Sequence, residues 1–175
     1  YQFGPYPCPV AMPAFLDPTL YHVANFGERP HFTPLTDWYA FTVLLVKCLL
    51  QVHPYGGVHR QHKSLQARAA ARVSIFNHAV KLPPRIRPLE SLPDDLLHHL
   101  HLTFEHGQRR PFPPHLLQQY AQSLQTCPHC RLDYPASRPG CPACRQPTPR
   151  PTPTPAVAGL RTLLHTAGLI EALFV

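Results

Sequence analysis

The sequence predicts a mainly α-helical bundle with a small zinc-ribbon appendage and, after a proline-rich spacer, the start of a further β domain. Three observations lead there. Apolar residues recur at helical spacing in four segments. Six cysteines include two CxxC pairs with ten residues between them. Proline supplies 24 of the 175 residues, far above the usual ~5%, which argues against a regular sheet or a long coiled coil. A hydrophobic share of 44% against 14% charged is enough for a core and excludes a disordered tail.

Residues 1–18 read as loop, punctuated by Pro5, Pro7, Pro9, Pro13 and Pro18, and residues 21–35 as irregular, broken by Gly27, Pro30 and Pro34. Thr36 and Asp37 offer an N-cap for a helix over Trp38–Gln51. This segment is apolar nearly all round, which predicts a helix buried at the centre of its domain. Ser64 can cap a second helix over Leu65–Phe76, with its alanines and arginines outward. Pro93-Asp94-Asp95 suits the first turn of a third helix. Its stripe is Leu96, Leu97, Leu100 and Phe104, and Gly107 ends it. A fourth helix spans Pro114–Leu124. Residues 1–125 thus form the helical region, 126–145 the ribbon and 146–155 the linker. The linker holds five prolines in ten residues and spans roughly 30 Å when extended. Within 156–175, Leu160–Leu164 and Leu169–Val175 read as two strands around a Gly-containing turn.

The cysteines carry the clearest chemistry. Cys127, Cys130, Cys141 and Cys144 form two knuckles able to place four thiolates around one tetrahedral Zn²⁺. Four thiol ligands close the coordination sphere, which points to a structural ion rather than a catalytic one. A segment of this length has almost no core, so the metal supplies most of its folding energy. Disulfides would imply export, and no signal segment is visible. Cys48 lies within an apolar helix and reads as a small buried residue. Cys8, in a proline-rich loop, is either a plain loop residue or a reactive thiol.

No apolar run reaches the ~18 residues of a membrane helix; the longest, Phe41–Leu50, is broken by Lys47. The expectation is a cytoplasmic protein without a membrane partner, cut from a longer chain at both ends. The net charge of +7 is concentrated in two places, +6 over residues 59–90 and +3 over residues 126–155. Such patches either solubilise the surface or dock an acidic peptide, a phosphorylated partner or nucleic acid.

The order of the helical pieces resembles the C-terminal lobe of eukaryotic-type Ser/Thr protein kinases. Asp37-Trp-Tyr-Ala-Phe-Thr-Val-Leu-Leu, followed by His53-Pro54-Tyr55, is similar to the central D-x-W-S-F-G-x-x-L helix and its P-[FY] turn. Pro13-Ala-Phe15-Leu-Asp-Pro18-Thr-Leu20 resembles the P-E-x-x-x-P-E-L end of an activation segment. Pro93-Asp-Asp-Leu-Leu resembles the P-x-x-L start of a later helix, and Phe104–Pro111 the D-P-x-x-R-P stretch. Leu116-Leu117 match the apolar pair of the last helix. Tyr6-Pro-Cys-Pro-Val10 further resembles bacterial kinase-like proteins with added zinc modules. The likeness runs in order over residues 1–125.

The resemblance implies a helical C-lobe in which Asp37 scaffolds the catalytic loop and Val10, Ala11, Met12 and Pro13 help position a peptide substrate. It also implies that Thr19 replaces a Glu that pairs with a late arginine, here Arg109 or Arg110, so that the buried ion pair should be missing. The Gly-rich loop, the strand-three Lys and the H-R-D and D-F-G acids that bind ATP and Mg²⁺ all precede this region in kinases. ATP-dependent phosphorylation would therefore belong to a full-length parent, with these residues alone inactive. A pseudokinase scaffold binding protein partners through the C-lobe and the ribbon is the alternative. Nucleic-acid binding through the ribbon arginines is a third reading, although Tyr134 is the only nearby aromatic on which a base could stack.

Overall fold

The computed structural model describes residues 4–147. The expected strands at Leu160–Leu164 and Leu169–Val175 and most of the linker lie outside the described residues. The rest is mostly helical. A 3-10 turn at Pro18–Leu20 precedes α1 (Pro34–Leu50) and α2 (Leu65–Ala70). A second 3-10 turn at Leu89–Ser91 leads into α3 (Asp94–Phe104) and α4 (Pro114–Ser123), and the hairpin of β1 (Leu124–Thr126) and β2 (Asp133–Pro135) follows. Among the described residues no helix is long and apolar enough to cross a membrane.

Helix α1 starts earlier than its sequence suggested. The N-cap is Thr33, not Thr36 or Asp37, and it forms a reciprocal capping box with Thr36. Pro34, read as a breaker, sits at the first helical position, where its missing N–H costs nothing and its fixed φ suits the helix. Burial on α1 is one-sided. Tyr39, Val43, Val46 and Leu50 lie in the core at helical spacing. Asp37, Phe41, Leu44 and Cys48 follow the same spacing two residues out of step, about 200° around the axis. Phe41, Leu44 and Cys48 of that second stripe are exposed, Leu44 by 48%. The expectation of a helix buried all round, with Cys48 inside it, is corrected accordingly: among the described residues one face of α1 lies in the core, while the opposite stripe stays largely exposed, touched at Phe41 by the rings of Trp38 and Phe112.

Helix α2 is capped by Ser64 as expected but ends at Ala70 rather than Phe76. Arg72 takes a left-handed conformation (φ 55°). The Val73 N–H donates to the Arg68 carbonyl and the Arg72 N–H to the Ala69 carbonyl, the paired bonds of a Schellman stop. Arg68 does not face outward. It is buried, and its guanidinium donates to the carbonyls of Tyr55 (2.8 Å), His62 (2.9 Å) and Lys63 (2.9 Å). One charge of the basic segment thus staples the turn after α1 to the start of α2.

The core gathers the inner stripe of α1, the stripe of α3 and one face of α4 around residues of the connecting segments such as Tyr55, Leu92 and Phe112. Leu96, Leu100 and Phe104 of α3 are fully buried, with Leu116 and Tyr120 of α4 packed beside them. Each such side chain contributes roughly 1.5–3 kcal/mol by leaving water. Phe104 meets Tyr39 and Tyr55 edge-on at 5.7 and 5.8 Å, the favoured aromatic geometry. The Tyr55 hydroxyl donates to the Phe104 carbonyl at 2.9 Å, satisfying a polar group in the core.

The expected loss of a buried ion pair is also corrected. Arg109 finds its acid at Asp17, two residues before Thr19. Its Nε lies 2.5 Å from one carboxylate oxygen of Asp17 and Nη2 lies 3.0 Å from the other, while Nη1 donates to the Thr103 carbonyl. Its guanidinium also lies over the Tyr39 ring, 4.3 Å from the centroid. Asp17 is only 2% exposed and receives two further bonds, from the backbone N–H and the hydroxyl of Thr19. Burial alone would raise its pKa; the bonds from Arg109 and Thr19 outweigh that and hold it below its ordinary value.

Removing one partner strands a buried charge, so Asp17→Asn or Arg109→Gln is expected to cost about 3–5 kcal/mol in urea unfolding. The double variant is expected to lose less than the sum of the two. Because the folded-state pKa of Asp17 is depressed, its stabilisation is present above the unfolded value near 3.8 and fades as pH falls through the folded value. Asp17→Asn should therefore flatten the stability–pH curve below about pH 4.

Candidate metal centre

Each CxxC pair folds as the same tight knuckle. In the first, the Cys127 N–H donates to the Leu132 carbonyl (2.9 Å) and the Arg131 N–H to the Cys127 carbonyl (2.9 Å). In the second, the Cys141 N–H donates to Gln146 and the Arg145 N–H to Cys141, both at 2.8 Å. The residue after each second cysteine is left-handed, Arg131 at φ 61° and Arg145 at φ 57°. That twist aims both sulfurs of a knuckle at one point. Gly140 makes room for the second knuckle: a Cβ there would lie 2.9 Å from the Gln146 carbonyl oxygen.

The hairpin brings the knuckles together. β1 and β2 pair antiparallel, Gln125 opposite Tyr134 and Thr126 opposite Asp133. Tyr134 is fully buried and packs with Cys127 and Cys141 in a small core of their own. The four Sγ atoms all lie within 4.8 Å of one another. Cys127 to Cys144 is 3.6 Å and Cys130 to Cys141 is 3.4 Å. A tetrahedral ion bonded to sulfur at about 2.3 Å spaces its ligands by about 3.8 Å, so the thiols already stand near ligand separation and far from disulfide length. The arrangement can hold a metal ion with four sulfur ligands.

The backbone prepares the thiols. N–H groups of Cys130 and His129 donate to the Cys127 sulfur, and its pKa is lowered to about 6, chiefly by the Cys130 N–H. Cys130 moves the other way, to about 12. The Leu132 N–H favours its thiolate, but the hydrogen bond with Cys141 and desolvation outweigh it. Four sulfurs this close cannot all ionise without a cation among them, which is the electrostatic reason such a cluster takes up a metal and releases protons.

The cluster is fastened to the helices. The Ala136 N–H donates to the Ser123 carbonyl at 2.7 Å. Arg138, in the segment joining the knuckles, reaches the carbonyls of Glu90 (3.3 Å) and Leu92 (3.2 Å) and the Asp94 carboxylate (2.5 Å). It thereby ties the ribbon to the start of α3. The ribbon boundary expected between residues 125 and 126 falls inside β1.

The other residues singled out from the sequence lie apart from this centre. Val10 and Met12 are exposed, the latter by 56%, with Ala11 half-buried and Pro13 exposed. The Met12 carbonyl accepts from the Phe15 N–H. Asp37 lines an open apolar groove with Phe15, Ala40, Phe41 and Leu44. Arg109 holds Asp17, whereas Arg110 is exposed beside the cleft between α3 and α4. Sequence reasoning missed Asp17 and Arg138. Asp17 had one visible signal, an acid just before Pro18 that can cap a short turn; Arg138 had none.

No protein-family model, no curated protein and no solved structure matches this chain.

Stripping a metal from the loaded protein with a chelator is expected to lower the melting midpoint of the helical body by about 3–5 °C, through loss of the Arg138 tie. Arg138→Ala should abolish that coupling while leaving metal uptake intact. Hydrogen exchange over residues 89–96 with and without chelator checks both.

Proposed function

We propose that the chain is the helical lower half of a protein-kinase-like fold with a structural zinc module at its end, scaffolding a phosphoryl-transfer site whose reacting groups lie in a longer chain. The observation that carries this reading is the buried pair between Asp17 and Arg109. The kinase-like pattern calls for an acid in the segment around Thr19 and an arginine after the third helix, joined beneath α1. Here the acid has moved two residues along the chain and still reaches the same arginine. The outward stripe of α1 fits the same reading. Asp37, Phe41 and Leu44 form an apolar face carrying one acid, suited to seat a further segment of such a lobe and to hold its backbone by the Asp37 carboxylate.

Zinc is the ion that best suits four thiolates at tetrahedral spacing, because it needs no open site and has no redox chemistry to protect. The residues of this chain would then act by holding. Asp17 and Arg109 fix the substrate-side segment, Val10–Pro13 receive a peptide, and the ribbon caps α3. A second reading, a scaffold that binds protein partners without phosphoryl transfer, is favoured by the exposed apolar side chains Val10 and Met12.

The test is calorimetric binding of ATP–Mg²⁺ by a chain extended upstream of Tyr1, with peptide phosphorylation as the second readout. Binding is expected; a folded extended chain that binds no nucleotide would overturn the kinase reading and leave the scaffold. Leu44→Lys separates the structural part of the proposal. It should change the stability of the present chain by no more than about 0.5 kcal/mol, as an exposed substitution does, but destabilise the extended chain by about 2 kcal/mol or more.

A further inference from the structure

A second site lies between α3 and α4, away from the cysteines. It is a cleft of about 350 Å³. Asp95, His98 and His99 line it from α3, spaced so that one helix face presents all three. Arg110 enters from the connecting loop, and His115 and Gln119 from α4. His99 is the distinguishing feature. It is 4% exposed, its ring stands edge-on to Phe112 at 5.0 Å, and among the described residues neither ring nitrogen has a hydrogen-bond partner. A buried polar ring without a partner at the wall of a cleft is a group waiting for one. Arg110 and Asp95 likewise form no ion pair among the described residues.

We propose that this cleft binds a phosphate group bearing a proton. The donor inventory selects the ligand. Arg110 offers a planar fork that matches an oxyanion. The three imidazoles and the Gln119 amide add N–H donors. Asp95 can only accept, so it repels a fully ionised anion but receives the hydroxyl of a protonated one. A phosphate near its second ionisation, about pH 6 for a monoester, carries such a hydroxyl; sulfate and a carboxylate do not. His99 supports the assignment: its pKa is lowered to about 4, first by burial and then by the charges of Arg110 and His98. It is thus a neutral ring in a field of positive sign, able to donate without adding charge.

The experiment is a calorimetric titration of the whole chain with inorganic phosphate and with sodium sulfate near pH 6.5, with imidazole resonances followed by NMR. Saturable phosphate binding is expected, with a Kd of about 1 mM or tighter, and sulfate is expected to bind at least about tenfold more weakly. The His99 and His115 resonances should move with phosphate. Arg110→Gln should weaken phosphate about tenfold, and Asp95→Asn should bring sulfate to within about twofold of phosphate. Both residues are exposed, so these variants should keep the fold. Non-saturating phosphate binding, equal affinity for sulfate in the unaltered chain, or indifference to Arg110→Gln would each overturn the proposal. A parallel titration with O-phosphoserine and inorganic phosphate near pH 5, about one unit below the monoester's second ionisation so that both carry a phosphate proton, identifies the source within the same chemistry: tighter binding than inorganic phosphate supports a phosphorylated side chain as ligand, and equal or weaker binding supports free phosphate.

Discussion

The Arg109 guanidinium is the point on which the helical body depends. It binds both carboxylate oxygens of Asp17, caps the Thr103 carbonyl near the end of α3 and covers the Tyr39 ring of α1. Three segments far apart in the chain meet at one side chain. A buried pair of this kind adds little net stability over an apolar replacement. Its consequence is geometric. The Asp17 carboxylate takes bonds from Arg109 and from Thr19 at once, so the pair holds the proline-rich segment and its short 3-10 turn against the helical body.

The four-cysteine module follows a different logic. Its apolar interior is little more than Tyr134 and the cysteines themselves, too small to fold on burial alone. Local hydrogen bonds pre-shape both knuckles and lower the pKa of one thiol, but the four sulfurs repel as thiolates until a cation joins them. Arg138 carries the result into the helical body by holding the carbonyls that precede α3. A cluster able to hold an ion and the packing of the helices, usually separate sources of stability, thus share a boundary here.

Helix α1 carries two stripes at helical spacing. One stripe is committed to the core, and the opposite stripe is apolar as well, with Asp37 at its start. Sequence alone could not separate them, because both repeat at the same period and both consist of residues that favour burial. Only the assembly of the core around the Tyr39–Leu50 stripe distinguishes the inner face from the outer one. The short α2 shows the same limit. Its alanines and arginines favour helix up to Phe76, yet Arg68 turns inward to three carbonyls and the chain reverses at Arg72.

What the sequence determined by itself is local. The four cysteines are legible because a CxxC pair specifies its own turn and two such pairs can converge on one point, as the four sulfurs do here. The positions of α1, α3 and α4 are legible because caps, prolines and apolar period act within a turn or two of the chain. The tertiary structure alone decided that Asp17 would serve Arg109, 92 residues away, that Arg138 would grip the residues before α3, and that His99 would be buried with no hydrogen-bond partner for its ring nitrogens among the described residues. Charge pairing and burial depend on which surfaces meet, and no nearest-neighbour preference carries that information.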